Sequence, residues 1–147
     1  MERIKIQLPD QFLFTTQIPI RIGDVNYGGH VGNDAFLSLI HEARMQFLAS
    51  FGWSELNMAG VALIMADVGI EYKHELKYGD VVTAHVTVQG IDRLGFDVIY
   101  HLTVNKNNTI VTAAKAKTGM LCFDYAAGKK QPVPDAAIKA FSSTNQR

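Results

Sequence analysis

One long helical repeat of apolar residues, followed by four strand-like runs with short connections, constrains this chain more than any other feature. Placed at 100° intervals, Phe36, Leu37, Leu39, Ile40, Ala43, Phe47, Leu48 and Phe51 fall within roughly 180° of one circumference, a core-facing stripe. Ser38, His41, Glu42 and Met45 lie towards the other side, and Arg44 falls at the edge of the arc, where a guanidinium needs a partner or a path to solvent. Asn33 or Asp34 can cap the start, and Gly52 ends the pattern where a left-handed residue is favoured.

After a continuous apolar run over 61–65, the pattern alternates, with Ala66, Val68, Ile70 and Tyr72 opposing Asp67, Gly69, Glu71 and Lys73. A second run sets Val82, Ala84, Val86 and Val88 on one face, a third Phe96, Val98, Tyr100, Leu102 and Val104, and a fourth spans about 109–123. Residues 78–80, 90–95 and 105–108 read as turns. With an early strand over 12–22, the order is strand, helix, four strands. Short connections join only antiparallel neighbours, so the pattern predicts an α+β fold in which a curved antiparallel sheet packs one face on a single helix. Residues 1–147 read as one domain with its core over about 12–123, then a short helix and polar tail within 132–147.

The densest chemistry precedes the helix. Within 24–34 lie Asp24, Asn26, Gly28, Gly29, His30, Gly32, Asn33 and Asp34. Such a loop can hold a reacting group at a helix N-terminus, where free N–H groups and the dipole favour developing negative charge. Local readings stand beside this one. Asp24 fits an Asx turn, Asn33 a helix cap, and His30 a loop hydrogen bond.

Composition narrows the classes. Fourteen basic and fourteen acidic residues give a net charge of zero, so no broad attraction to nucleic acid or to an anionic membrane is expected. Cys122 is the single cysteine, which precludes an intramolecular disulfide and suits a reducing compartment. The first residues lack a signal-peptide core, and no run approaches the ~20 apolar residues of a membrane span, so a cytoplasmic location is expected. The histidines lack metal-ligand spacing, and no metal is predicted.

The loop Asp24-Val-Asn-Tyr-Gly-Gly-His-Val-Gly-Asn33, the helix tail Glu42-Ala43-Arg44 and the later stretch from Tyr72 to Asp80, in this order, resemble the hot-dog-fold acyl-CoA thioesterases of the 4-hydroxybenzoyl-CoA thioesterase type. The resemblance covers about 17–123. It implies a hot-dog fold, with the sheet wrapped around its central helix, homodimers joined edge to edge and often tetramers, and active sites at the dimer interface. It further implies an acyl thioester of coenzyme A or of an acyl carrier protein as substrate, with no separate cofactor.

Carried over by position, Asn26 stands where the family usually has its catalytic aspartate. A neutral amide can orient water but cannot accept a proton at ordinary pH, so the base must be another group. His30 matches a histidine of many members and of the related plant acyl-ACP thioesterases, and Glu75 resembles the position of a glutamate in those plant enzymes. Asp24 and Glu42 are the other candidate carboxylates, although Glu42 and Arg44 also fit a structural polar contact. Gly28, Gly29, Gly32, Asn33 and Asp34 are candidates for the oxyanion and substrate-binding segment, and Arg93, Lys115 and Lys117 for the phosphates of coenzyme A. With no acid at position 26, a non-catalytic acyl-ligand binding protein is the alternative. A hydratase is disfavoured because the interval from Asp24 to His30 is wrong for that group's motif.

Overall fold

A computed structural model of the protein describes residues 1–143; the end of the expected polar tail, 144–147, lies outside the described residues. The strands are β1 (Phe14–Pro19), β2 (Ala62–Tyr72), β3 (Val81–Gln89), β4 (Gly95–Lys106), β5 (Thr109–Asp124) and the short β6 (Lys129–Lys130), with helices α1 (Asn33–Ala49) and α2 (Asp135–Phe141). They form one antiparallel sheet in the order β1-β3-β4-β5-β2, with β6 added to β5. This is the α+β hot-dog arrangement expected from the sequence.

Local chemistry sets the boundaries. β1 is shorter than the 12–22 expected, because Ile22–Asp24 is a 3-10 turn whose Asp24 carboxylate accepts the Arg21 N–H at 2.8 Å. α1 stops at Ala49, two residues short of Phe51, and Gly52 turns the chain with φ 81°. The β4–β5 hairpin closes on Asn107 and Asn108, both at positive φ (54° and 66°), the geometry that matches the right-handed twist of paired strands.

Phe36, Leu39, Ile40, Ala43, Phe47 and Leu48 pack against Val82, Ala84, Val86, Phe96, Val98, Tyr100 and Leu102 in one buried cluster. Leu37, placed in the core stripe by spacing, is instead exposed, because it lies beside Met65 on a flank that the sheet leaves open. Phe141 of α2 plugs the far end of the core, 5.1 Å from the Phe96 ring and 5.8 Å from Phe47.

The guanidinium of Arg44, 6% exposed, donates to Glu55 Oε1 at 2.9 Å and to the Tyr100 hydroxyl at 3.0 Å. Tyr100 in turn lies 2.8 Å from Thr118 Oγ1, and His41 Nε2 approaches Glu55 at 3.2 Å. Burial opposes the Arg44 charge, but Tyr100 and Glu55 outweigh it and hold the guanidinium more firmly protonated than usual. The same burial pushes the Tyr100 phenol up, keeping it neutral.

The β2 register contains a bulge between Met65 and Asp67. Leu63 and Met65 face the helix side opposite Cys122 and Met120, but past the bulge Val68, Ile70 and Tyr72 take that side, opposite Thr118, Ala116 and Ala114. The extra residue, Ala66, therefore turns Tyr72 rather than Glu71 towards α1.

Candidate active site

The loop before α1 is organised by Asn26. Its Oδ1 accepts the Gly28 N–H at 2.9 Å and approaches the His30 N–H at 3.4 Å, while its backbone N–H donates to the His30 carbonyl at 2.9 Å. Gly29 sits at φ 84°, a conformation that glycine adopts without a Cβ penalty. With its oxygen committed to the loop, Asn26 keeps its Nδ2 donors on the side of the helix start, where a Cβ at Gly32 would lie 3.8 Å from them. Asn26 thus serves the loop as an Asx turn and has an NH₂ left over.

α1 begins at Asn33 with Gly32 as its N-cap, and no side chain caps it. The sequence pointed to Asn33 or Asp34 as the cap. Both are instead helical, because extended backbone at Gly32 (φ −67°, ψ 156°) already makes the turn. The backbone N–H groups of the first helical turn have no side-chain oxygen competing for them.

His30 and Glu75 meet beside this helix end, with Glu75 Oε2 3.3 Å from His30 Nδ1. The contact is close but lacks hydrogen-bond alignment, so Nδ1 is buried with no directional partner. A cavity of about 180 Å³ lined by Val31, Asn33, Phe36, Tyr72, Lys73, His74 and Glu75 opens there. The segments that carry the pair are also joined through backbone, Val31 N–H to the Leu76 carbonyl at 2.9 Å.

The other candidates lie elsewhere. Asp24 and Glu42 line a separate cleft of about 440 Å³ between β1 and α1, together with Arg21, His41 and Gln46. Asp24 closes the 3-10 turn, and Glu42 accepts from Gln46 Nε2 at 2.8 Å. Neither lines the cavity at Glu75. Arg44, suggested as a partner for Glu42, pairs with Glu55.

The three cations suggested for coenzyme A phosphates do not converge on His30. Lys117 Nζ is bound by both Asp67 oxygens (2.8 and 2.9 Å) and by Asp97 at 3.2 Å, and hydrogen bonding to Asp67 raises its pKa. Lys115 stands on the outer sheet face in register with His101 and Glu71. Arg93 follows β3, whose opposite end meets the loop through the Ile20 N–H to Asp80 carbonyl bond. Nine strand residues separate those ends, about 27 Å. Lys73 is the cation that lines the cavity, and neither it nor Tyr72 was singled out from sequence, since strand alternation alone does not mark the residue at a strand's last turn.

Among the described residues no group of three or more His, Cys, Asp or Glu is placed to hold a metal ion, and no helix is long and apolar enough to cross a membrane.

Residues 20–141 match the family model of the thioesterase-like superfamily. A 1,4-dihydroxy-2-naphthoyl-CoA hydrolase from Nostoc punctiforme is 26% identical over 140 residues, covering 91% of this chain and 89% of the relative. Among solved structures, a thioesterase superfamily protein from Jannaschia superposes with a TM-score of 0.80 at 17% identity, covering 92% of this chain and 84% of that one. A 1,4-dihydroxy-2-naphthoyl-CoA thioesterase from Synechocystis gives a TM-score of 0.78 at 23% identity, covering 89% and 96%. The family match takes in the glycine loop, the central helix and every long strand after it, and the protein is accordingly a hot-dog-fold member of the thioesterase-like superfamily.

Proposed function

We propose that the protein hydrolyses an acyl thioester of coenzyme A, or of an acyl carrier protein, to a free acid and a thiol. The observation that carries this reading is the His30–Glu75 pair beside the uncapped start of α1, in a member of the thioesterase-like superfamily. The naphthoyl-CoA hydrolase relative supports the coenzyme A half of the substrate.

In the mechanism, His30 takes a proton from water as the oxygen attacks the thioester carbonyl, with Glu75 steadying the imidazolium that forms. The first-turn N–H groups of Asn33 and Asp34, joined by Asn26 Nδ2, receive the oxyanion. One such donor typically contributes about 2.7–4 kcal/mol in acyl transfer. The C–S bond then breaks, His30 returns its proton to the departing thiolate, and the acid is released. The reading uses water and side chains, and assigns no step to a metal or cofactor.

The site is completed by a second copy of the chain. β2 is an edge strand, and on its helix-facing side Met65, Val68 and Tyr72 are 48%, 40% and 46% exposed. An apolar, unpaired edge of this kind invites pairing. We place the partner there, as a homodimer or a tetramer built from it, and place the protein in the cytoplasm.

Thiol release from a panel of short, long, aromatic and hydroxylated acyl-CoAs, with His30→Ala alongside, tests the reading. Turnover that falls at least ~100-fold in the variant supports it. Unchanged turnover moves the base to another group. Asn26 in place of the family's aspartate favours one second reading, an acyl-ligand binding protein without turnover. It would retain acyl-CoA and release no thiol.

A further inference from the structure

We propose that Tyr72 is a positioning residue for the His30–Glu75 pair, acting by pinning the end of β2 to the start of α1; the inference rests on the site reading given above. Its hydroxyl donates to the Asn33 carbonyl at 3.1 Å, and its ring meets Phe36 edge-on with centroids 5.1 Å apart and planes at 89°. Asn33 is three residues after His30, and Glu75 is three residues after Tyr72. The hydroxyl bond therefore closes a small ring, from His30 along the chain to Asn33, across to Tyr72, along to Glu75 and back to His30.

Three observations make this more than a packing contact. Tyr72 reaches α1 because of the bulge at Ala66; in an unbroken strand Glu71 would point there instead. Bulges re-aim side chains and concentrate beside functional sites. The Glu75 side chain is 72% exposed and its approach to His30 is poorly aligned, so the pair cannot hold its own geometry and depends on the chain segments that carry it. The Tyr72 hydroxyl makes one neutral hydrogen bond and its ring lines the Glu75 cavity, which makes the bond a small contributor to stability and a large one to where two segments meet.

Tyr72→Phe keeps the ring and removes the one hydrogen bond. With the best substrate of the acyl-CoA panel, kcat is expected to fall about 3- to 10-fold with KM within twofold, the range of one neutral hydrogen bond expressed in the transition state. The thermal midpoint should shift by no more than about 3 °C. Because Tyr72 acts through His30, its effect should vanish in a His30→Ala background. The His30 imidazole resonance, read by NMR at fixed pH without substrate, should move in Tyr72→Phe. An equal fall in both backgrounds, or unchanged kcat with an unmoved resonance, overturns the role of Tyr72 while leaving the site reading intact. A His30→Ala substitution that leaves turnover unchanged overturns the site reading itself, and this inference with it.

Discussion

Removing Arg44 and removing Glu55 should have unequal consequences, although the two form one ion pair. Arg44 is almost fully buried, whereas a quarter of the Glu55 side chain meets solvent and His41 also pairs with it. In Arg44→Met the aliphatic volume is kept, Glu55 turns to water and His41, and Tyr100 retains Thr118 at 2.8 Å. The expected loss is within about 1 kcal/mol, since replacing a buried charge by a packed apolar group is often near neutral. Glu55→Leu strands the cation in the core with Tyr100 as its remaining partner. Breaking a buried pair in this way costs about 3–5 kcal/mol, and the partial exposure of Glu55 puts the figure near the lower end, about 3 kcal/mol. For a domain of this length that is roughly 6–12 °C in thermal midpoint. Urea unfolding of both single variants and the double variant measures the difference, and the double variant should recover about 2 kcal/mol relative to Glu55→Leu. A greater loss in Arg44→Met than in Glu55→Leu would refute the reasoning, because the guanidinium would then be a net stabiliser rather than a buried charge in need of its anion.

The outer sheet face should make the protein acid-sensitive. His85 and His101 lie 5.7 Å apart beneath Phe12, in a row that runs from Thr15 to Lys115 and Glu71, with Thr112 bonded to His101. Burial lowers the pKa of both, and for His101 the neighbouring His85 and Lys115 add to it. Lowered imidazoles favour the folded state at neutral pH and lose that contribution as pH falls from about 6.5 through their folded values. The thermal midpoint of the wild type should therefore drop more steeply between pH 7 and 5 than that of His85→Gln/His101→Gln, and parallel curves would contradict this. Asn26→Asp should fold normally, because both loop N–H contacts are to Oδ1, which an aspartate supplies. With His30 as base and Asn26 Nδ2 as an oxyanion donor, thiol release should fall about 100- to 1,000-fold; a rise of ~100-fold would show that an acid at 26 is what the site lacks. Met65→Asp should shift the oligomer towards monomer in light scattering, and an unchanged mass would remove β2 as the interface.

The periodic features were legible because each follows from a local rule. A 3.6-residue stripe from Phe36 to Leu48 must bury one face, and runs such as Phe96 to Val104 must alternate, so the single helix and the antiparallel sheet follow from hydrophobic spacing and short turns. The loop chemistry was legible as well. Asn26, His30 and the glycines are contiguous, although the Asx turn expected at Asp24 is made by Asn26 before Gly28, while Asp24 accepts the Arg21 N–H behind it. Residues of equal type were not separable. Asp24, Glu42 and Glu75 are all carboxylates that could serve His30, yet the sheet carries Glu75 to it while the helix turns Glu42 to the β1 side. Lys117 and Arg93 are cations like Lys73, but register pairs Lys117 with Asp67 and Asp97, and Arg93 follows the far end of β3.

By itself, then, the sequence determined which segments become helix and strand and which loop holds the polar groups, because those depend on neighbours within a few residues. Tertiary structure alone decided which carboxylate meets His30, that Arg44 pairs with Glu55, and that Tyr72, already on the apolar face by alternation, reaches the Asn33 carbonyl. Each of these depends on strand register, and a single inserted residue, Ala66, reverses which side chains point inwards.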